Sequence, residues 1–349
     1  MKKHHLKAVN PALWLLALAL AGWTLWQLPV ADMLTGLARL NWWQWWSWAA
    51  INCAILYLAV VRWQVLAASA GVTLSATALF RLRQAGSAVS FITPGPQFGG
   101  EPLQLYWLHR IHRLPLHRAA VVLGLERFME TAINIAVLLT GVLMLLGTAI
   151  LPVNAWLQVS GILLAALVGL FALATLLLRH PEWLAIRLGR LIARWRGGSR
   201  AGDDDNGWVA FITLVREVLS GQRLRLWLAL GLSLAVWLAL FVELVMLLGF
   251  LGLSPTPLQV VLIMVGMRLA MLLPMPGGIG TIEASLYWSF SFLSLTLSAA
   301  AGLIALSRLR DAVILIVGLA CLSGLQRHTV AEPASATTGK SGPTGSTAD

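Results

Sequence analysis

The sequence predicts an all-α fold: a polytopic membrane protein with about six full transmembrane helices and two re-entrant broken-helix hairpins, related as an inverted repeat. Three observations predict it. Hydrophobic residues make up 58% of the chain and charged residues only 11%, with a mean hydropathy of +0.80; a soluble domain carries about 25% charged residues. Several apolar runs exceed the roughly 20 residues needed to cross a bilayer. Two apolar segments contain matching polar breaks, FITPGPQFGGEPLQLYW from Phe91 to Trp107 and LLPMPGGIGTIEASLYW from Leu272 to Trp288.

The uninterrupted spans lie at about 12–30, 43–66, 119–147, 157–178, 226–251 and 299–325. The first follows Lys2, Lys3 and Lys7, and no small-residue cleavage site follows it, so it reads as a retained helix rather than a signal peptide. The other two apolar segments, about 75–110 and 258–297, hold the breaks. One carries Pro94, Pro96, Gly99 and Gly100 before Glu101; the other carries Pro274, Pro276, Gly277, Gly278 and Gly280 before Glu283. A broken membrane helix exposes backbone polar groups, which must be satisfied by protein or by a wet cavity. Each segment therefore reads as two half-length helices joined at the break, with a kinked full-length helix pair as the alternative.

The breaks belong to a longer correspondence. Tyr106 and Tyr287, Trp107 and Trp288, Arg127 and Arg308, and Glu130 and Asp311 all stand 181 residues apart. Three expected spans separate the two hairpins, and an odd number inverts the second unit relative to the first. Inverted repeats with broken helices at the midplane are a common transporter plan. The sequence thus divides into one membrane domain, 1–325, with repeat one at about 43–147 and repeat two at about 226–325. A basic loop fills 179–225, and a Ser/Thr/Gly/Pro-rich stretch at 329–349 reads as a disordered tail.

The net charge of +11 does not point to nucleic acid. Basic residues gather between the spans, among them Arg81, Arg83, Arg110, Arg113, Arg118 and the arginines from Arg179 to Arg225, whereas the opposite side receives little beyond Arg39. The positive-inside rule then puts both termini in the cytoplasm of a cell whose inner membrane the protein crosses. The stretch 181–196 mixes Trp183, Leu184, Leu188, Leu191 and Trp195 with arginines, as a helix on anionic headgroups would. The Trp42–Trp48 cluster reads as an interfacial belt. His109, His112 and His117 lack the spacing of a zinc helix and join the basic patch. Cys53 and Cys321 indicate neither a disulfide framework nor a metal site.

Charges within apolar helices are the candidates for function, because each costs roughly 2.5–3.5 kcal/mol at a membrane centre and such residues pair or line a pathway. Glu126, Arg127 and Glu130 lie in the helix after the first break; Arg268 precedes the second break, Glu243 sits in the span 226–251, and Arg308, Arg310 and Asp311 lie inside the last span. Arg127 with Glu130, and Arg308 with Asp311, are spaced i,i+3 and share a helix face. Arg127, Arg268 and Arg308 are candidates to meet a phosphate, which a guanidinium grips at two points; neutralising nearby acids is the competing role. Glu101 and Glu283 are expected to hold the half-helix starts. No catalytic set, cofactor motif or metal site stands out.

TPGPQFGGE, LERFME and LPMPGGIGTIE resemble the lysylphosphatidylglycerol synthase transmembrane region, a flippase-like membrane family, over about residues 10–325. The first motif departs at Glu130, where aspartate is expected. In full-length synthases this region is joined to a soluble aminoacyl transferase domain, for which no counterpart is expected here, so the resemblance implies the flippase-like half and not the enzyme. The expectation is translocation of an anionic lipid, a phospholipid or a lipid-linked envelope precursor. The alternatives are a membrane-embedded enzyme or accessory subunit of glycolipid synthesis, or a scaffold for envelope-synthesis proteins. The expected partners are membrane lipids, with the oligomeric state open.

Overall fold

The computed structural model describes residues 37–93 except 39, 99–146, 153–179, 202–273 and 276–330. The expected first span, Pro94, Pro96, Pro274, the stretch 181–196 and the tail beyond 330 lie outside these residues. The described residues form α1 (Trp42–Ser69), α2 (Ala76–Ile92), α3 (Glu101–Arg110), α4 (Leu116–Leu145), α5 (Val153–Arg179), α6 (Gly202–Gly221), α7 (Arg223–Phe250), α8 (Pro257–Met271), a short 3-10 turn (Pro276–Gly278), α9 (Thr281–Phe292) and α10 (Leu297–Val330), with no strand among them. Helices α1, α4, α5 and α7 are long and apolar enough to cross a membrane. Helix α10 is long enough as well but carries Arg308, Arg310 and Asp311 near its middle. The chain is a multi-pass membrane protein.

The 181-residue offset extends to the backbone. It relates both ends of α1 to those of α7, and the starts of α2 and α4 to those of α8 and α10. Ser75 caps α2 by accepting from the Ala78 N–H, and Thr256, 181 residues on, caps α8 by accepting from the Gln259 N–H. The left-handed turn residues match too: Gly71 (φ 71°) with Gly252 (φ 78°), and Arg113 (φ 52°) with Ser294 (φ 54°). Two copies of a four-helix unit make up most of the described chain, with α5 and α6 between them.

The copies interlock. Trp48 and Asn52 of α1 reach Glu243 of α7, Arg62 reaches Ser233, and Ala68 reaches Arg225. Ascending positions on one helix meet descending positions on the other, so α1 and α7 run antiparallel. Gly318 of α10 lets that helix approach the α2 backbone at Gln84, and Gly141 of α4 lies against Val265 of α8. The first helix of each hairpin thus packs on the last helix of the opposite copy.

Within each hairpin the chain reverses. The Ser90 hydroxyl accepts from the Gly100 N–H, and the Gln104 amide donates to the Leu82 carbonyl, so α3 folds back along α2. Gly100 packs directly on the Gly86 backbone. Helix α9 returns along α8 with Ser285 and Ser289 against Gly266. Helices α2, α3, α8 and α9 have 17, 10, 15 and 12 residues, each shorter than the roughly 20 residues of a full crossing. The hairpin tips meet where the Phe91 ring covers Gly277, which adopts φ 58°.

A side chain at Gly277 would collide with that ring and strain the left-handed backbone, so Gly277→Ala is expected to destabilise the protein by about 1–3 kcal/mol. Gly124 has open space around its Cβ position inside α4, and Gly124→Ala is expected to gain about 0.5–1 kcal/mol. Thermal unfolding in detergent should move the two melting temperatures in opposite directions.

Candidate functional site

Each four-helix unit collects charged side chains from all four of its helices into one centre. Centre one takes Arg62 from α1, Arg83 from α2, Glu101 from α3, and Glu126, Arg127 and Glu130 from α4. Glu126 is buried and ion-paired to the buried Arg62. Arg83 bridges Glu126 at 3.0 Å and Glu130 at 3.1 Å. Arg127 reaches Glu130 at 2.9 Å and Glu101 at 3.2 Å, and Glu101 accepts from the Gly99 N–H at 2.7 Å. The break in hairpin one is thereby tied to α4.

Centre two repeats that link. Glu283 accepts from the Gly280 N–H at 2.8 Å. Arg308 donates to Glu283 at 2.6 Å and to Asp311 at 3.0 Å. It also donates to the Gly277 and Gly278 carbonyls at 3.1 and 3.2 Å, satisfying backbone acceptors that the break frees from helical bonding. Gly277, Gly278 and Gly280, with φ of 58°, 62° and 82°, fold the chain tightly enough to present those groups.

The remaining pair swaps sign. Arg62 and Glu243 stand 181 residues apart on the antiparallel α1 and α7. Arg62 takes Glu126 from α4, whereas Glu243 takes Arg310 from α10 at 3.0 Å, with Trp48 and Asn52 donating to its other oxygen. Each centre holds three arginines and three acids, so neither carries net charge within the apolar helices.

The sequence-based candidates Glu126, Arg127, Glu130 and Glu101 come together in centre one, and Arg308, Asp311 and Glu283 in centre two. Arg127 and Arg308 are both engaged by acids, as their competing role required. Arg268 is different. Its guanidinium lies 4.8 Å from the centre of the Trp237 ring, and no carboxylate among the described residues lies within ion-pair distance of it. It lines a cavity of about 40 Å³ together with Glu243, Arg310, Trp48, Ser307 and the apolar Met264 and Met267. Arg83, counted from sequence among the loop cations, is instead part of centre one, because Glu126 and Glu130 draw it there. Arg62 went unnoticed in the sequence; its 181-residue relation to Glu243 was the available signal.

The sequence matches the lysylphosphatidylglycerol synthase TM region family over residues 12–318. The chain belongs to this family. No curated protein and no solved structure matches it. The family match spans both charged centres and both breaks.

Removing Glu126 would leave Arg62 and Arg83 with only Glu130 in reach. Breaking a buried pair from one side costs about 3–5 kcal/mol, whereas replacing both partners with apolar residues is often neutral. Glu126→Ala is therefore expected to lower the melting temperature far more than Arg62→Met combined with Glu126→Leu.

Proposed function

We propose that the protein translocates an anionic lipid, a phospholipid or a lipid-linked envelope precursor, across the cytoplasmic membrane, without itself catalysing a covalent reaction. The headgroup passes along the charged side of a cavity near the hairpins, where Glu243, Arg268 and Arg310 face mainly apolar walls, while the alkyl chains stay in the bilayer. The observation that carries this reading is Arg268: a guanidinium on a cavity wall, held against Trp237, with no carboxylate engaged. A charge inside apolar helices needs a counter-charge or water, and a guanidinium with free N–H groups suits phosphate oxygens. Arg127 and Arg308 hold the hairpins through Glu101 and Glu283, and Arg268 meets the phosphate.

The cavity of about 40 Å³ has room for a few waters and none for a headgroup. The structure is accordingly read as an occluded state that must open during transport. The antiparallel pairing of the equivalent helices α1 and α7 supports an inverted repeat, which gives two ways to open related by a pseudo-two-fold axis in the membrane plane. The short hairpin helices support re-entrant segments.

Charge distribution supports an orientation. Residues 40–61, 244–267 and 284–307 contain no Asp, Glu, Lys, Arg or His, and contacts among them gather at one end of the bundle. Arg81, Arg110, Arg113, Arg118, Arg223 and Arg225 flank the core at the other end. The arginine-rich end is the cytoplasmic one under the positive-inside rule.

The test is lipid scrambling in proteoliposomes. A hydrogen bond to a charged group contributes about 1.5–3 kcal/mol, so Arg268→Gln is expected to slow scrambling at least about tenfold with little change in melting temperature. Scrambling at the wild-type rate in that variant would rule out Arg268 as the headgroup contact.

A further inference from the structure

The two units differ at the place where the cavity lies. In centre one the hub is Glu126, a buried carboxylate gripped by Arg62 and, at 3.0 Å, by Arg83. The 181-residue offset carries Arg62, Arg83 and Glu126 to Glu243, Met264 and Ser307. All three counterparts line the cavity of about 40 Å³. The cavity thus stands where the first unit has its hub, with a hydroxyl at the position of the hub carboxylate. Ser307 is 9% exposed, and its hydroxyl has no hydrogen-bond partner among the described residues.

The cavity wall nevertheless carries two cations. Arg268 lies against the Trp237 ring. Arg310 donates one N–H to Glu243 at 3.0 Å and has no other hydrogen-bond partner among the described residues. Two arginines against one glutamate leave one positive charge on the wall. The acid that balances it within the centre is one of the two on Arg308, and neither Glu283 nor Asp311 lines the cavity. Glu130 acts on Arg268 from centre one, but it is shared between Arg83 and Arg127 and does not line the cavity either.

We propose that the cavity binds one phosphodiester group of a phospholipid, with a single negative charge, in the place that Glu126 holds in the first unit. The inference rests on the reading that Arg268 meets the headgroup phosphate, and it adds Arg310 and Ser307 as partners and fixes the charge of the ligand. A phosphodiester spreads one charge over two free oxygens, as a carboxylate does, so Arg268 and Arg310 take it as Arg62 and Arg83 take Glu126. The Ser307 hydroxyl donates to it. A lipid diphosphate brings more than one negative charge, and the excess would stay unpaired among apolar walls. The phosphodiester enters as the cavity opens, because the occluded space holds only a few waters.

The experiment is titration of the full chain in detergent with phosphatidylglycerol, read by native mass spectrometry beside the melting temperature. Ser307→Glu gives the second unit the carboxylate of the first. It is expected to weaken binding at least about tenfold, because like charges meet in a desolvated space, and to melt no lower than the wild type. Ser307→Asp carries the same charge on a side chain one methylene shorter, which covers a poor fit of glutamate, and the same loss of binding is expected. Ser307→Gln fills the space of glutamate without its charge and is expected to weaken binding less than about threefold. A polyprenyl diphosphate is expected to bind at least about tenfold more weakly than phosphatidylglycerol. Wild-type binding in both acidic variants, or an equal loss in Ser307→Gln, would overturn the proposal. Diphosphate binding as tight as that of phosphatidylglycerol would overturn the single-charge assignment. Slowed scrambling in Arg268→Gln with unchanged binding in Ser307→Glu would overturn this proposal and leave the transport reading standing. Lost binding in Ser307→Glu with wild-type scrambling in Arg268→Gln would support the site and remove the transport reading.

Discussion

A guanidinium or carboxylate among apolar helices must find an opposite charge, because neither lipid nor hydrocarbon side chains replace the water it loses. That constraint organises this fold. Twelve charged residues converge in two centres, each drawing on all four helices of its unit. The pairs fix how the helices sit: Glu126 holds α1 and α2 to α4, and Glu243 holds α10 to α7 and receives α1. The same requirement extends to the backbone, where each break leaves groups without helical partners and an arginine–glutamate link closes over them.

Duplication explains why the centres look alike, and their differences single out Arg268. The link from break to glutamate to arginine to i+3 acid is common to both units. The α1/α7 charge is reversed, as Arg62 in one copy and Glu243 in the other. This reversal lets both centres be neutral while leaving different residues uncommitted. In centre one the three arginines are shared among three acids in a continuous network. In centre two Arg308 takes both Glu283 and Asp311, Arg310 takes Glu243, and Arg268 is left against Trp237 and the cavity. An asymmetric vacancy within a symmetric scaffold is what a binding site near a repeat interface calls for.

Much of this was legible in the sequence, and the rest was not for identifiable reasons. The apolar runs marked α1, α4, α5 and α7, and the Pro/Gly breaks marked where α2 and α8 end, because these signals are local. The pairs Arg127–Glu130 and Arg308–Asp311 followed from helical spacing. Arg62 and Arg83 were hidden because their partners lie 64 and 43 residues away on other helices, and nothing periodic connects them. Arg83 also sits two residues from Arg81, and charge counting could not separate a surface cation from one drawn into a cluster. The antiparallel contact of α1 with α7 needed three dimensions, although the offset that makes them equivalent was present from the start.

The central claim is that the cavity beside Arg268 opens to the two sides of the membrane in turn. Ser307 lines that cavity and is 9% exposed, so a cysteine there reports access. With Cys53 and Cys321 replaced by serine, Ser307→Cys can be challenged by a membrane-impermeant thiol reagent in right-side-out and inside-out vesicles. The account predicts labelling from both sides; a crosslink that holds one opening shut abolishes labelling from that side and leaves or raises it from the other. Labelling from one side alone, or complete protection from both during lipid turnover, would contradict it.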